Sequence, residues 1–288
     1  MPELPEVETI RRGLIRKIKD KKITKIWIDP SFRKKISPSA RKFLAVLKNN
    51  KFSDVKRRAK LIILLVTENL FVLVHLKMTG QLIYRTTIGK SAGGGHPINN
   101  QVLPSKFTRV IFNFDDQTNL YFNDIRKFGY LKLVDRNEFN QELKKYGPEP
   151  LENDFTFDYL NKIFIVGGKR KIKTFLLDQR LIAGLGNIYS DEICFEAGAK
   201  PTRRVESLSL ELRKKIYFQI KEVLKKALKY KGTSVNTYVV SDGQKGRFQN
   251  HLKVYGRAGE KCLRCQRGII KRIKFNGRNS SYCPICQK

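Results

Sequence analysis

Two cysteine pairs near the C-terminus constrain this chain more tightly than any other feature of its sequence. Cys262-x-x-Cys265 and Cys283-x-x-Cys286 flank residues 266–282. Each pair can clasp a metal ion at a tight turn, and the residues between them make a hairpin that brings the pairs together. Four thiolates in a tetrahedron suit one structural Zn²⁺, with no coordination position left open for chemistry. An iron site and two disulfides are the rival readings. The opening Met-Pro-Glu-Leu-Pro-Glu has acids and prolines where an export signal has basic and then apolar residues. A reducing compartment therefore suits the chain, and metal-bound thiolates fit it better than disulfides. The fifth cysteine, Cys194, stands between Ile193 and Phe195 and is expected to be a small core residue.

The hairpin between the pairs carries Lys271, Arg272, Lys274 and Arg278, and the whole chain is as basic. Lys plus Arg number 59 against 26 Asp plus Glu in 288 residues, a formal net charge of +33. A compact chain with this excess repels itself, and the partner that relieves the repulsion is a polyanion. Nucleic acid stands ahead of an anionic membrane surface. Hydrophobic residues make up 41%, which excludes a disordered basic tail. The longest uninterrupted apolar run, Leu61–Val66, falls far short of the ~18–20 residues of a spanning helix.

The hydrophobic pattern changes once along the chain. Val7, Ile10, Leu14 and Ile18 recur at helical spacing, so residues 3–18 are expected to form one helix. Residues 23–134 read mostly as short strands, among them Lys60–Val66, Leu70–Leu76 and Phe128–Val134. Thr108–Phe114 and Asn119–Phe122 read as a hairpin across Asp115-Asp116-Gln117-Thr118. Many strands without alternating helices imply an antiparallel sandwich. Residues 86–105, with Gly93-Gly94-Gly95, read as a loop. Gly-Pro-Glu-Pro at 147–150 reads as a linker, and beyond it Phe157–Val166, Thr174–Leu181, Ile188–Ala197 and Ser207–Tyr230 fit a helical period. In the last of these, Leu212, Ile216, Ile220, Val223 and Leu224 mark a core face, with lysines on the solvated side.

At the N-terminus, the small residue Pro2 permits removal of Met1, which would free a secondary amine. An α-amino group has a pKa of about 8, so a useful fraction is neutral near pH 7. A neutral amine can attack a sugar C1′. Glu3 and Glu6 lie on the opening turn, where helix-capping acids are equally at home. Pro-Glu-Leu-Pro-Glu-Val-Glu at 2–8 resembles the start of the bacterial formamidopyrimidine-DNA glycosylases. The resemblance runs on through Arg57-Arg-Ala-Lys60, His75-Leu-Lys-Met-Thr-Gly80, Asp124-Ile-Arg-Lys-Phe-Gly129 and Leu143–Pro150. It continues in Gly184-Leu-Gly-Asn-Ile-Tyr189, Ser241-Asp-Gly243, Val254-Tyr-Gly-Arg257 and the four cysteines.

The resemblance implies an α+β fold: an N-terminal antiparallel β-sandwich with flanking helices, then a helix–two-turns–helix domain and a zinc finger. It implies boundaries at 1–148, 155–234 and 235–288. It implies excision of oxidised purines (8-oxoguanine and formamidopyrimidines) from double-stranded DNA, followed by cleavage at the abasic site. Pro2 would be the nucleophile and Glu3 the general acid/base, with Glu6 a second acid near the site and Lys60 beside it. His75, Asn187 and Arg278 would join Lys60 in gripping phosphates, with Lys173 and Tyr255 as further backbone contacts. Met78, Arg126 and Phe128 would fill the space left by an extruded nucleotide. Ser241, Asp242 and Gly243 would open a lid over the extruded base. One zinc per chain, no redox cofactor or catalytic metal, a monomer, and a cytoplasmic place with the nucleoid complete the expectation. Lys106-Phe-Thr-Arg109, Thr174 and Asn279-Ser280-Ser281 depart from the pattern common in relatives. Two rivals stand beside this reading: the sister glycosylases for oxidised pyrimidines, and a DNA-binding zinc-ribbon protein without catalysis. Pro2 together with Glu3 speaks against the second.

Overall fold

Helix α1 (Leu4–Ile18) begins where Glu3 and Glu6 cap one another's backbone and a proline occupies the first turn. Its stripe Val7, Ile10, Leu14 and Ile18 is buried in one core with the inner faces of two sheets. The chain then runs through β1 (Ile23–Ile28), a 3₁₀ turn (Pro30–Lys35), β2 (Ile36–Ser37), α2 (Ala40–Leu47), β3 (Asp54–Arg58), β4 (Leu61–Thr67) and β5 (Leu70–His75). It continues as β6 (Gly80–Arg85), β7 (Ser91–Gly94), β8 (Thr108–Phe114), β9 (Asn119–Asp124), β10 (Tyr130–Asp135) and α3 (Arg136–Leu143). The computed structural model describes residues 1–86, 91–94, 102–233 and 246–288.

Among the described residues, one sheet has the order β1-β8-β9-β6-β7 and the other β2-β10-β5-β4-β3. All pairings are antiparallel except that of β2 with β10. Phe43, Phe52, Phe112, Phe114 and Phe122 fill the space between the sheets. The run Leu61–Val66 is apolar throughout because both its faces are covered. Ile62 and Leu64 point into the sandwich, and Ile63 packs with Phe71, Leu73 and Val134 beneath Phe139 and Leu143 of α3.

Two readings of the sequence change here. Residues 91–94, inside the stretch expected to be a loop, pair with β6 as a strand, because backbone pairing suits Ser-Ala-Gly-Gly where side-chain pattern gives no signal. The helix expected over Thr174–Leu181 is a short α5 (Ile172–Leu176). Asp178 ends it by accepting from its own neighbour Arg180 N at 3.1 Å, a local bond that competes with the helix.

The chain divides into two compact units, Met1–Lys144 with Tyr230–Arg247, and Lys145–Lys229 with Phe248–Lys288. The second unit holds α4 (Phe157–Gly167), α5, α6 (Asn187–Ala197) and α7 (Leu210–Lys229), then the hairpin of β11 (Lys271–Phe275) and β12 (Arg278–Tyr282). Phe164, Phe175, Ile193, Ile216, Ile220 and Leu224 are buried, and Cys194 is wholly inside, its thiol pushed up by burial. No helix among the described residues is long and apolar enough to cross a membrane.

Candidate active site and nucleic-acid interface

Strand register gathers the expected residues of the first unit at one end of the sandwich. Leu61 and Tyr130 both pair with His75, and Gly80 pairs with Asp124. Lys60 therefore stands beside His75. The segments 76–79 and 125–129 cross between the sheets side by side at that same end. Helix α1 aims its N-terminus there too. Glu8 meets Arg57 at 3.2 Å near the β3–β4 turn, and Arg11, farther along the helix, donates to the Val55 carbonyl at 3.4 Å. Burial raises the Glu8 carboxyl, but its bonds to Arg11 and Arg12 and the charge of Arg57 outweigh burial and hold it below the usual range.

Glu3 and Glu6 are both 2% exposed, and Pro2 is half-buried. The Glu6 carboxylate is a clamp. One oxygen accepts from Glu3 N at 2.9 Å, and the other accepts from Thr233 N at 2.8 Å and Thr233 Oγ1 at 3.1 Å. Gly232 lets the chain approach. Its φ is +79°, and a Cβ there would meet a Glu6 oxygen at 2.6 Å. Glu6, expected as a second acid, thus holds the opening turn in place.

His75 Nδ1 accepts from Lys77 N at 3.0 Å, so the ring proton lies on Nε2. Burial, with the charges of Lys77 and Lys60, lowers its pKa to about 3, and the ring is a neutral donor at physiological pH. Met78 and Phe128 are each 48% exposed despite their size, and the Arg126 guanidinium lies 4.6 Å over the Phe128 ring. Asp124, absent from the sequence-based list, ties their two segments together. Its buried carboxylate accepts from Thr79 Oγ1, from Arg126 N at 3.2 Å and from Gly129 N at 2.7 Å. Arg109 donates to the Asp124 carbonyl at 2.9 Å and pairs with Asp29 at 2.5 Å.

In the second unit Asn187 is the first residue of α6, with Gly186 at the cap, and its Oδ1 is buried without a partner among the described residues. Gln179 pins the preceding turn by accepting from Gly184 N at 2.9 Å and donating to the Leu185 carbonyl at 2.7 Å. Two adjacent acids of α6 reach the finger side of this unit. Glu192 accepts from Lys253 N, Val254 N and Tyr255 N at 2.8–3.0 Å, and burial pushes its carboxyl up to about 7 against those donors. Asp191 accepts from Ser280 Oγ at 2.5 Å and Ser281 N at 3.0 Å.

Lys173 is corrected by this network. It is 1% exposed, its ammonium lies 2.7 Å from Asp191, and it donates to the Asn279 carbonyl at 2.9 Å. It is an internal brace, whereas Arg278, one residue before that carbonyl, is exposed and Tyr255 is half-buried. Ser241, Asp242 and Gly243 lie outside the described residues.

The four cysteine sulfurs lie within 4.8 Å of one another, with Cys262–Cys286 and Cys265–Cys283 both at 3.8 Å. A tetrahedron with Zn–S bonds of about 2.3 Å sets its sulfurs about 3.8 Å apart. Backbone N–H groups of Arg264 and Gly268 point at Cys262 and Cys265 sulfurs at 3.4 and 3.3 Å, as thiolates require. The sulfurs are unbonded to each other, and the set fits one structural zinc. Phe195 of α6 packs against this knuckle with Val254 and Ile270.

Residues 1–131 match the formamidopyrimidine-DNA glycosylase N-terminal domain, residues 146–239 its H2TH domain, and residues 259–288 the zinc finger found in FPG and IleRS. The formamidopyrimidine-DNA glycosylase of Carboxydothermus hydrogenoformans is 40% identical over 289 residues, covering 100% of both chains. The chain belongs to the formamidopyrimidine-DNA glycosylase family. That of Listeria monocytogenes is also 40% identical, over 293 residues and again 100% of both chains. A Lactococcus lactis FPG mutant in complex with a Fapy-dG containing DNA superposes with a TM-score of 0.89 at 32% identity over 100% of both chains. The L. lactis Fpg with an abasic site containing DNA gives 0.88 at 32% identity over 99% of both.

Lys173→Ala leaves Asp191 buried and unpaired, so it should cost about 3–5 kcal/mol of stability. A melting curve and DNA affinities at several salt concentrations check this. A brace lowers the melting temperature and leaves the salt slope alone, while a phosphate contact reduces the slope by about one ion. For the metal, elemental analysis should find one zinc per chain. Chelation should remove DNA affinity before the first unit melts, and a zinc-free preparation with full affinity would refute the finger's role.

Proposed function

We propose that the protein excises oxidised purines, 8-oxoguanine and formamidopyrimidines, from duplex DNA and then cleaves the strand at the abasic sugar, in base excision repair on the bacterial chromosome in the cytoplasm. Family membership supports the first half, as do relatives crystallised on Fapy-dG and abasic DNA. The observation that carries the second half is the clamped opening turn. Once Met1 is removed, Pro2 ends in a secondary amine directly before a buried glutamate whose backbone N–H is held by Glu6.

The amine attacks C1′ as the C1′–N bond to the damaged base breaks, and the base leaves with the amine's proton. The C1′–O4′ bond then opens, O4′ taking a proton from the general acid, to give a Schiff base with a positive nitrogen. The positive nitrogen acidifies the C2′ proton. Its removal expels the 3′ phosphate by β-elimination, and a further proton transfer expels the 5′ phosphate by δ-elimination. Glu3, buried directly after Pro2, is the group that moves these protons, while Glu6 spends both oxygens on Glu3 N and Thr233. Lys60 and the neutral His75 Nε2–H are donors for the phosphates beside the lesion, and the N-terminus of α6 at Asn187, with Arg278 and Tyr255, takes others. Zinc supplies only the fold of the finger, which presents Arg278. Met78, Arg126 and Phe128 stand exposed on segments locked by Asp124, suited to enter the stack vacated by the extruded nucleotide.

Borohydride should trap the protein on lesion DNA through Pro2, and intact mass should show Met1 absent. A trapped peptide from an internal lysine would remove Pro2 from its role. Glu3→Gln should lose base excision and keep most DNA affinity. Parallel duplexes carrying 8-oxoguanine and thymine glycol decide between purine and pyrimidine lesions, with the purine cut faster. Phe128→Ala should leave melting nearly unchanged and weaken lesion binding by about 1–3 kcal/mol, the worth of one base–aromatic stack. A large melting loss with intact lesion affinity would mean that the ring serves packing instead.

A further inference from the structure

Away from the catalytic end, the first unit carries an open groove of about 1060 Å³ between β1, the 3₁₀ turn and α2. Its wall includes Ile26, Trp27 and Ile28, three successive residues of β1. Side chains alternate along a strand, so a groove that meets three in a row follows the strand's edge rather than one face. Among the described residues β1 ends its sheet with β8 as its one strand neighbour, and Ile23 at its start bonds to Asn49 and Asn50, so the edge beyond Ile23 is open. Trp27 is 42% exposed. On the opposite wall α2 presents Arg41, Leu44, Ala45 and Lys48, while its other side buries Phe43 and Leu47 in the core.

The charge is of one sign. Arg33, Lys34, Arg41 and Lys48 rim the groove, all exposed, and none makes an ion pair among the described residues. No carboxylate lines it, and the nearest in sequence, Asp29, is engaged by Arg109 and Ser31. An open strand edge, an apolar floor and a cationic rim ask three things of an occupant: extended backbone, apolar side chains on one face and carboxylates on the other. Duplex DNA would use the cations and leave Trp27 and Leu44 idle. A second copy of a +33 chain would be repelled. We propose that this groove docks an extended acidic peptide segment of a partner protein, which adds a strand to β1, seats apolar side chains against Trp27 and Leu44, and sets its carboxylates on Arg33, Lys34, Arg41 and Lys48.

Trp27 is the one tryptophan of the chain, so its fluorescence reports on this groove directly. The probe is a blocked octapeptide alternating aspartate with valine or phenylalanine. It is titrated into the full-length protein already saturated with duplex DNA carrying a tetrahydrofuran abasic analogue. We expect a saturable Trp27 shift at one peptide per chain. It should weaken at least tenfold in the Arg33→Glu/Arg41→Glu double variant, and likewise in Ala45→Phe, which narrows the groove without touching charge. Lysine in place of aspartate, or N-methylation of alternate peptide nitrogens, should abolish it. Excision of 8-oxoguanine at the wild-type rate shows that each variant is folded. Three results overturn the proposal: no Trp27 shift, binding indifferent to both variants, or binding seen only when the duplex is left out. A Trp27 shift from the duplex alone, lost in the double variant, would make the groove a DNA track instead.

Discussion

A buried carboxylate gripping backbone N–H groups is the interaction on which this molecule depends. Glu6 holds the opening turn and Thr233. Asp124 holds the two segments that display Met78, Arg126 and Phe128. Asp191 and Glu192 hold the finger hairpin and the 253–255 segment to α6. A chain with 59 basic and 26 acidic residues has few carboxylates to commit. It places several where they fix functional backbone and where water is excluded, so each bond is strong and its loss is expensive. The basic excess is thereby left largely on the surface, where it can meet phosphate.

Glu3 and Glu6 fix the opening turn reciprocally: each side chain accepts from the other's backbone N–H, and Glu6 also reaches Thr233. Asp124 fastens the segments 76–79 and 125–129 to each other at the same end of the sandwich. The exposed side chains there are unusual for their size, and they stay exposed because the backbone beneath them is fastened. Arg109 and Asp29 extend that fastening toward β1.

Much of this was legible in the sequence. The stripe of α1, the hairpin of β8 and β9, the long α7 and the four thiolates follow from local period and spacing. The motif Asp124–Gly129 pointed to Arg126 and Phe128. It did not point to Asp124 itself, whose partners come from another segment. Lys173 read as a DNA-backbone contact, and its burial was not legible because it is decided by its counter-ion Asp191, which lies on a different helix. Helices α2 and α3 went unread because they are short and partly polar. In α3 the signal was the pair Asp135 and Glu138, a reciprocal cap that follows directly on a strand. Strand β7 went unread because glycine carries no pattern.

The pair of acids on α6 also bears on how freely the finger can be exchanged. Zinc folds the knuckle, but the bearing of its hairpin is set from outside by Asp191, Lys173 and the packing of Phe195. The finger is therefore only half self-sufficient. Transplanted with its four cysteines to another protein, it would bind metal and fold, yet present its arginine in no fixed direction. A functional graft would have to carry α6 and the residues of α5 along with it, so the unit of inheritance in this half of the molecule is the helix and the hairpin together.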